Sequence, residues 1–135
     1  MKRPATYLAL ASIFFPQVAS AASFDGSVPF ICASFSEHLC STDAQCEAQG
    51  RGDNDVPKFL KISVQGKKVT GTRPSGAKID ATIENVRQSP DTLFIQGSQD
   101  VFAWSMAIGK ESGEMTLTAA DAGNGMVIFG ACTLP

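Results

Sequence analysis

The chain has 135 residues, of which 44% are apolar and 18% charged, and its formal net charge is -2. That length holds one domain with a modest core rather than two. The acidic balance argues against nucleic acid or anionic lipid as the main partner, since both need a clustered positive face.

The first 22 residues read as an export signal. Lys2 and Arg3 give a short positive start, Tyr7 to Phe15 is an apolar run, Pro16 ends it, and Ala19-Ser20-Ala21 is a small-x-small cleavage pattern. Residues 1–22 are therefore expected to be a signal peptide and 23–135 a single β domain, periplasmic or secreted. Cleavage removes two cations and no acid, which leaves 9 basic against 13 acidic residues and a formal charge of -4. No Cys follows the cut, and no second apolar run approaches the ~20 residues of a membrane helix, so no membrane anchor is expected after cleavage.

Beyond residue 22, turn residues punctuate the chain at intervals of roughly ten residues, the spacing of an all-β domain. Gly50 to Asp55 reads as a loop followed by Pro57. Gln65-Gly66-Lys67-Lys68, Pro74-Ser75-Gly76, Ser89-Pro90-Asp91, Lys110 to Gly113 and Gly123-Asn124-Gly125 read as turns. Between them the apolar period is two: Leu60/Ile62/Val64, Ile79/Ala81/Ile83, Phe102/Trp104/Met106/Ile108 and Met115/Leu117/Ala119. Only Ala44 to Gln49 tolerates a helix locally, and it is short. Lys58, Lys61, Lys67 and Lys68 form a basic stretch that fits a solvated strand face.

The pattern predicts an all-β antiparallel meander of about 8 to 9 strands. A meander of that size tends to close, because closure removes exposed strand edges. The expected form is a small barrel or strongly curved sheet of lipocalin-like architecture, with a two-sheet sandwich as the alternative.

Cys32, Cys40, Cys46 and Cys132 allow three pairings. An exported chain meets an oxidising compartment, so disulfides come first. Cys40 and Cys46 flank a short loop. Cys32 falls in the first strand and Cys132 in the last, which are neighbours in a closed meander. The expected bridges are Cys40–Cys46 and Cys32–Cys132. The competing reading is a metal site from Cys32, His38, Cys40 and Cys46, which lacks the close Cys pair of a zinc finger.

Catalytic patterns are weak. His38 is the single histidine, and a regular strand would put Ser34 and Ser36 on its side, too close a set for a triad. Asp53-Asn54-Asp55 begins like a calcium loop but continues with Lys58 and Val64 where Gly and Glu are needed. Arg51-Gly52-Asp53 is a short adhesion-type match, and Glu111 and Glu114 are two carboxylates near a turn. No enzyme, cofactor or metal is expected. In a closed barrel Phe102, Trp104 and Met106 would face the interior, where core packing and ligand binding share one surface.

Phe30-Ile31-Cys32, Val56-Pro57-Lys58-Phe59-Leu60 and Phe129-Gly130-Ala131-Cys132 resemble an uncharacterised family of small exported proteins of Gram-negative bacteria. The resemblance spans most of residues 23–135 and implies compartment and domain size without an activity. Ser75-Gly76-Ala77-Lys78 also resembles, faintly, the start of the Ser-Gly-Ala-Arg-Tyr-like segment of periplasmic c-type lysozyme inhibitors. Ile79 stands in place of the aromatic residue, and Phe94-Ile95-Gln96-Gly97 only loosely matches the later motif. This second likeness implies a partner-binding turn at Ser75, Gly76 and Lys78. The expected function is a non-enzymatic binding or interaction module, with three sharper forms: inhibition of a cell-wall hydrolase, carriage of a small apolar ligand in the barrel, and metal handling.

Overall fold

The computed structural model describes residues 23–43, 45–50 and 54–135. The segment read as a signal peptide lies outside the described residues. So does Arg51-Gly52-Asp53.

Nine strands occur among the described residues: β1 (Phe30–Ser41), β2 (Cys46–Gln49), β3 (Phe59–Ser63), β4 (Lys68–Thr72), β5 (Lys78–Gln88), β6 (Thr92–Gln99), β7 (Phe102–Gly109), β8 (Glu114–Ala120) and β9 (Asn124–Thr133). All pairings are antiparallel, and each strand from β3 onward pairs with the next in the chain. β1 pairs with β9 over most of its length, so eight strands close into a barrel. The first half of β1 pairs with β3, and its second half pairs with the short extra strand β2. The barrel form of the expectation therefore holds and the sandwich does not. Within the stretch where a helix was locally tolerable, Cys46–Gln49 is instead a strand, because the backbone groups of Glu37 to Cys40 offer it a ladder to join.

Alternation decides what faces inward. Leu60, Ile62, Val69, Ala81, Ile83, Leu93, Ile95, Met106, Ile108, Met115 and Ile128 are buried and form one continuous core. Their register partners match across the sheet: Ile62 faces Val69, Ile95 faces Met106, and Ile108 faces Met115. Burying each such side chain contributes on the order of 1.5–3 kcal/mol. Two bulges reset the alternation, one at Phe35 on β1 and one at Glu84 on β5. Before Phe35 the inward residues are Phe30, Cys32 and Ser34. After it the inward face falls on Glu37, which is 6% exposed and pairs with Ile128.

One end of the barrel is sealed. Phe24 is buried and meets Phe30 edge-to-face with ring centroids 5.4 Å apart. Its backbone N–H donates to the Lys110 carbonyl, while Gln88 donates to the carbonyl of Asp25 and Gln65 to that of Ser27. Residues 24–27 thus cross the base and bond to three of its turns. Gly113, at φ 70°, lies under the Phe24 ring; a Cβ there would meet the ring at 2.8 Å and the Cys132 carbonyl at 2.7 Å.

Both disulfides join register partners, Cys32 to Cys132 and Cys40 to Cys46. They are the pairs expected from the sequence. The first spans 100 residues and staples the seam where the barrel closes; the second spans 6 and anchors β2. They suggest an oxidising, non-cytoplasmic environment. On the chain-entropy account the long bridge contributes about 4–5 kcal/mol and the short one about 2 kcal/mol. Replacing Cys32 and Cys132 together by Ala should therefore lower unfolding stability in urea by roughly twice as much as replacing Cys40 and Cys46.

Candidate functional site

The end opposite Phe24 holds a cavity of about 210 Å³. Its walls are inward residues of the closed sheet: Leu60, Val69, Ala81, Met106, Leu117 and Ile128. An eight-stranded barrel is just wide enough to be filled by side chains or to hold one small ligand, and here both conditions occur. Large residues fill the sealed half, while Ala81 and Ala119 leave space in the other half. The mouth is framed by Asn54 to Pro57, by Arg73 after β4, and by Gln99, Asp100 and Phe102 around the β6–β7 turn.

Phe102, Trp104 and Met106 all line this cavity. Met106 is 1% exposed deep in the core, Trp104 is half-buried, and Phe102 is 40% exposed at the lip. They form a graded line from base to mouth along β7. The placement of Trp104 depends on its cross-strand partner Gly97. A Cβ at Gly97 would lie 2.6 Å from the indole Cζ2, so only glycine lets the ring lie over β6.

The lining carries few polar groups. Among the described residues, the indole Nε1 of Trp104 and the amide Nδ2 of Asn54 are buried without a hydrogen-bond partner. Arg73 donates from Nη1 to the Asp55 carbonyl at 3.1 Å, and Ser34 donates to the Pro57 carbonyl at 3.0 Å. Trp104 was expected on the inner face from its period. Asn54 was read only as part of an acidic loop, since its role depends on how residues 54–57 return to the barrel rim. Arg73 was likewise missed; its position just past β4 was the one available signal.

The turn at Ser75, Gly76 and Lys78 lies outside the cavity, and its polar groups are engaged. Ser75 donates through its backbone N–H and its hydroxyl to the two carboxylate oxygens of Asp55, at 2.8 and 2.7 Å. Gly76 takes φ 90° with open space around it. Lys78 Nζ donates to Thr72 Oγ1 at 2.8 Å. The turn thereby latches the Asn54–Pro57 segment to the rim.

The Ser34–Ser36–His38 side-sharing expected of a regular strand occurs only in part: Ser36 and His38 share a face, and Ser34 does not. The bulge at Phe35 leaves Ser34 on the cavity and puts His38 on the outer face, with its ring edge-to-face with Phe129 at 6.0 Å. His38 Nε2 lies 3.3 Å from Ser36 Oγ. Cys32, Cys40 and Cys46 are all bonded as disulfides, so none offers a thiolate beside His38. Among the described residues no three His, Cys, Asp or Glu side chains group as a metal site. Glu111 and Glu114 sit exposed at the sealed end, away from the cavity mouth. Lys58, Lys61, Lys67 and Lys68 are exposed on the outer face, where Lys68 pairs with Asp80 at 2.6 Å. Comparison of the chain with protein families, with curated proteins and with solved structures finds no match.

Two outcomes follow from this geometry. Gly97→Ala should displace the Trp104 indole, changing the near-UV circular dichroism of the single tryptophan and costing about 1–3 kcal/mol from overpacking. The latch should respond to acid. The hydrogen bonds from Ser75 hold the Asp55 carboxyl below its ordinary value of 3.8. A depressed folded-state value means the latch adds stability above the ordinary carboxylate range and loses it as pH falls through the folded-state value. The Ser75 amide resonance should therefore titrate with a midpoint below 3.8, and Asp55→Asn should remove that titration.

Proposed function

We propose that this protein is a non-enzymatic binding protein of the periplasm or the extracellular space, and that its barrel interior holds one small, mostly apolar ligand. The observation that carries this reading is the cavity of about 210 Å³ at one end of an otherwise filled barrel. Its size narrows the occupant. A dry apolar cavity of ~150 Å³ takes benzene, so by proportion this one takes roughly eight non-hydrogen atoms. The occupant is a single small ring or a short branched chain, or the end of something longer that protrudes past Phe102. The signal-like segment and the two disulfides support the compartment.

Binding of a hydrophobic probe tests the cavity directly. A ligand that binds only the folded state raises its stability by mass action, so toluene at saturating concentration should raise the thermal midpoint of the wild-type protein. Ala119→Leu, which fills space beside Trp104, should reduce that rise while leaving the probe-free protein folded. An unchanged midpoint in wild type at saturation would count against an accessible cavity.

Inhibition of a cell-wall hydrolase has less support. It would need Ser75 and Lys78 to enter a partner's cleft, and both are bonded within this chain, to Asp55 and to Thr72. Excess purified protein is expected to leave the rate of lysis by a c-type lysozyme unchanged.

A further inference from the structure

The net negative charge conceals one local reversal. After residue 22 the chain keeps 9 of its 11 cations and all 13 acids. A trough on the outer face of the barrel nevertheless gathers Lys58, Lys61, Arg73 and Lys78 against a single acid among the described residues, Asp80. Asp80 is already offset by Lys68 at 2.6 Å. Lys58 and Lys61 are exposed, and their ammonium groups meet no carboxylate among the described residues. The basic stretch is therefore a place where one sign of charge collects, on a protein whose remaining surface carries the other.

The shape of the trough follows from the outward residues of three strands. Lys68 reaches Asp80, and Lys78 reaches Thr72 Oγ1 at 2.8 Å, which places Lys68, Thr70 and Thr72 of β4 on the same outer face as Lys78 and Asp80 of β5. Beyond Lys68, β4 offers that face only the short side chains of Thr70 and Thr72, on either side of Gly71. Its neighbours offer longer ones: Phe59 and Lys61 on β3, Lys78 and Asp80 on β5. Adjacent strands lie ~4.8 Å apart, so the two walls stand roughly 10 Å from one another, room for one extended chain laid along β4. The β3 wall is apolar as well as basic. Phe59 is 63% exposed, and Ile31, whose register partner is Lys61, is 46% exposed. Both line the trough and neither lines the cavity.

We propose that this trough is a second binding site, taken by an extended, acidic protein segment that carries an apolar side chain among its carboxylates. Charge complementarity selects the carboxylates: four cations line the trough, and the acidic remainder of the protein repels such a segment elsewhere and so steers it here. The exposed wall of Phe59 and Ile31 selects the apolar side chain, because covering that wall removes apolar surface from water. Phosphate chains and acidic glycans match the charge but bring nothing to cover it. The hydroxyls of Thr70 and Thr72 on the floor both donate and accept, which suits the alternating N–H and C=O groups of an extended backbone. Arg73 is held at the end of the trough by its hydrogen bond to the Asp55 carbonyl at 3.1 Å. The proposal does not rest on the cavity reading, since Phe59, Lys58 and Lys61 line only the trough.

Fluorescence anisotropy at low ionic strength reads the binding of a labelled heptapeptide, Glu-Asp-Leu-Glu-Phe-Asp-Glu. Two controls separate its features. The amide analogue Gln-Asn-Leu-Gln-Phe-Asn-Gln keeps the shape without the charge, and Glu-Asp-Gly-Glu-Gly-Asp-Glu keeps the charge without the apolar side chains. The first peptide should bind about tenfold or more tighter than either control, and its affinity should fall as salt is added. Lys58→Glu combined with Lys61→Glu should weaken it about tenfold or more, and Phe59→Ser several-fold. All three positions are exposed, so these variants should keep the wild-type thermal midpoint. Arg87→Glu, exposed and outside the trough, should bind as wild type does. On titration the amide resonances of Lys61, Thr70 and Thr72 should shift, while those of Met106 and Leu117 in the cavity wall should not. Equal affinity for the three peptides, or affinity unchanged by the β3-wall variants, would overturn the proposal. Polyphosphate, or vesicles of phosphatidylglycerol and phosphatidylcholine in equal parts, binding tighter than the peptide and losing nothing in Phe59→Ser would replace it with a general polyanion surface. Absence of binding at millimolar peptide would return the trough to a solvated strand face and leave the cavity reading untouched.

Discussion

The pairing of β1 with β9 is the constraint on which the rest depends. Without it the sheet would be an open ribbon with two long edges and a single buried face shared with water. With it, eight strands enclose an interior, and inward residues from opposite sides come within packing distance. The covalent link lies on the same seam, since Cys32 and Cys132 are register partners across it. It opposes the chain entropy that most strongly resists closure, because the two ends of the barrel sequence have the furthest to travel. Cys32 also lines the cavity, so the bond that holds the barrel shut is part of the wall around the candidate ligand.

Closure forces a second feature. β1 is the longest strand and pairs with three others. It changes partner on one side, from β3 to β2, and takes an extra residue at Phe35. Bulges increase local twist and re-aim side chains. The result is that one strand contributes Cys32 and Ser34 to the cavity and Glu37 to the buried face beyond it, while His38 turns outward.

Much of the barrel was legible in the sequence because each strand states its own inward face. Leu60/Ile62, Ile79/Ala81/Ile83, Trp104/Met106/Ile108 and Met115/Leu117 are local patterns, and short turns between them leave a meander as the simplest topology. Phe102, Trp104 and Met106 were legible for the same reason. The alternation of β1 was not, since Ile31, Ala33 and Phe35 are as apolar as their neighbours and the bulge shows only in the pairing with β9. The plug was also hidden. Phe24 is one apolar residue in a polar stretch, and its burial comes from the turns it reaches, above all Lys110 and Gly113. Asn54 and Arg73 belong to segments without periodicity. Their place at the rim follows from the Asp55–Ser75 latch, a contact between residues that no local pattern relates.

The sealed base has a consequence for traffic. Phe24 and the 24–27 crossing leave the barrel a cup rather than a tube. On the proposed reading, entry and exit would share one opening, and an occupant would leave the way it came, past Phe102, Arg73 and Asp100. The side chains of the rim, rather than those deeper in the wall, would then set how often it exchanged. A flow-through pore has no such economy of control: in a cup, capture and release would be two directions through a single opening, and a molecule too long for it would leave its tail outside.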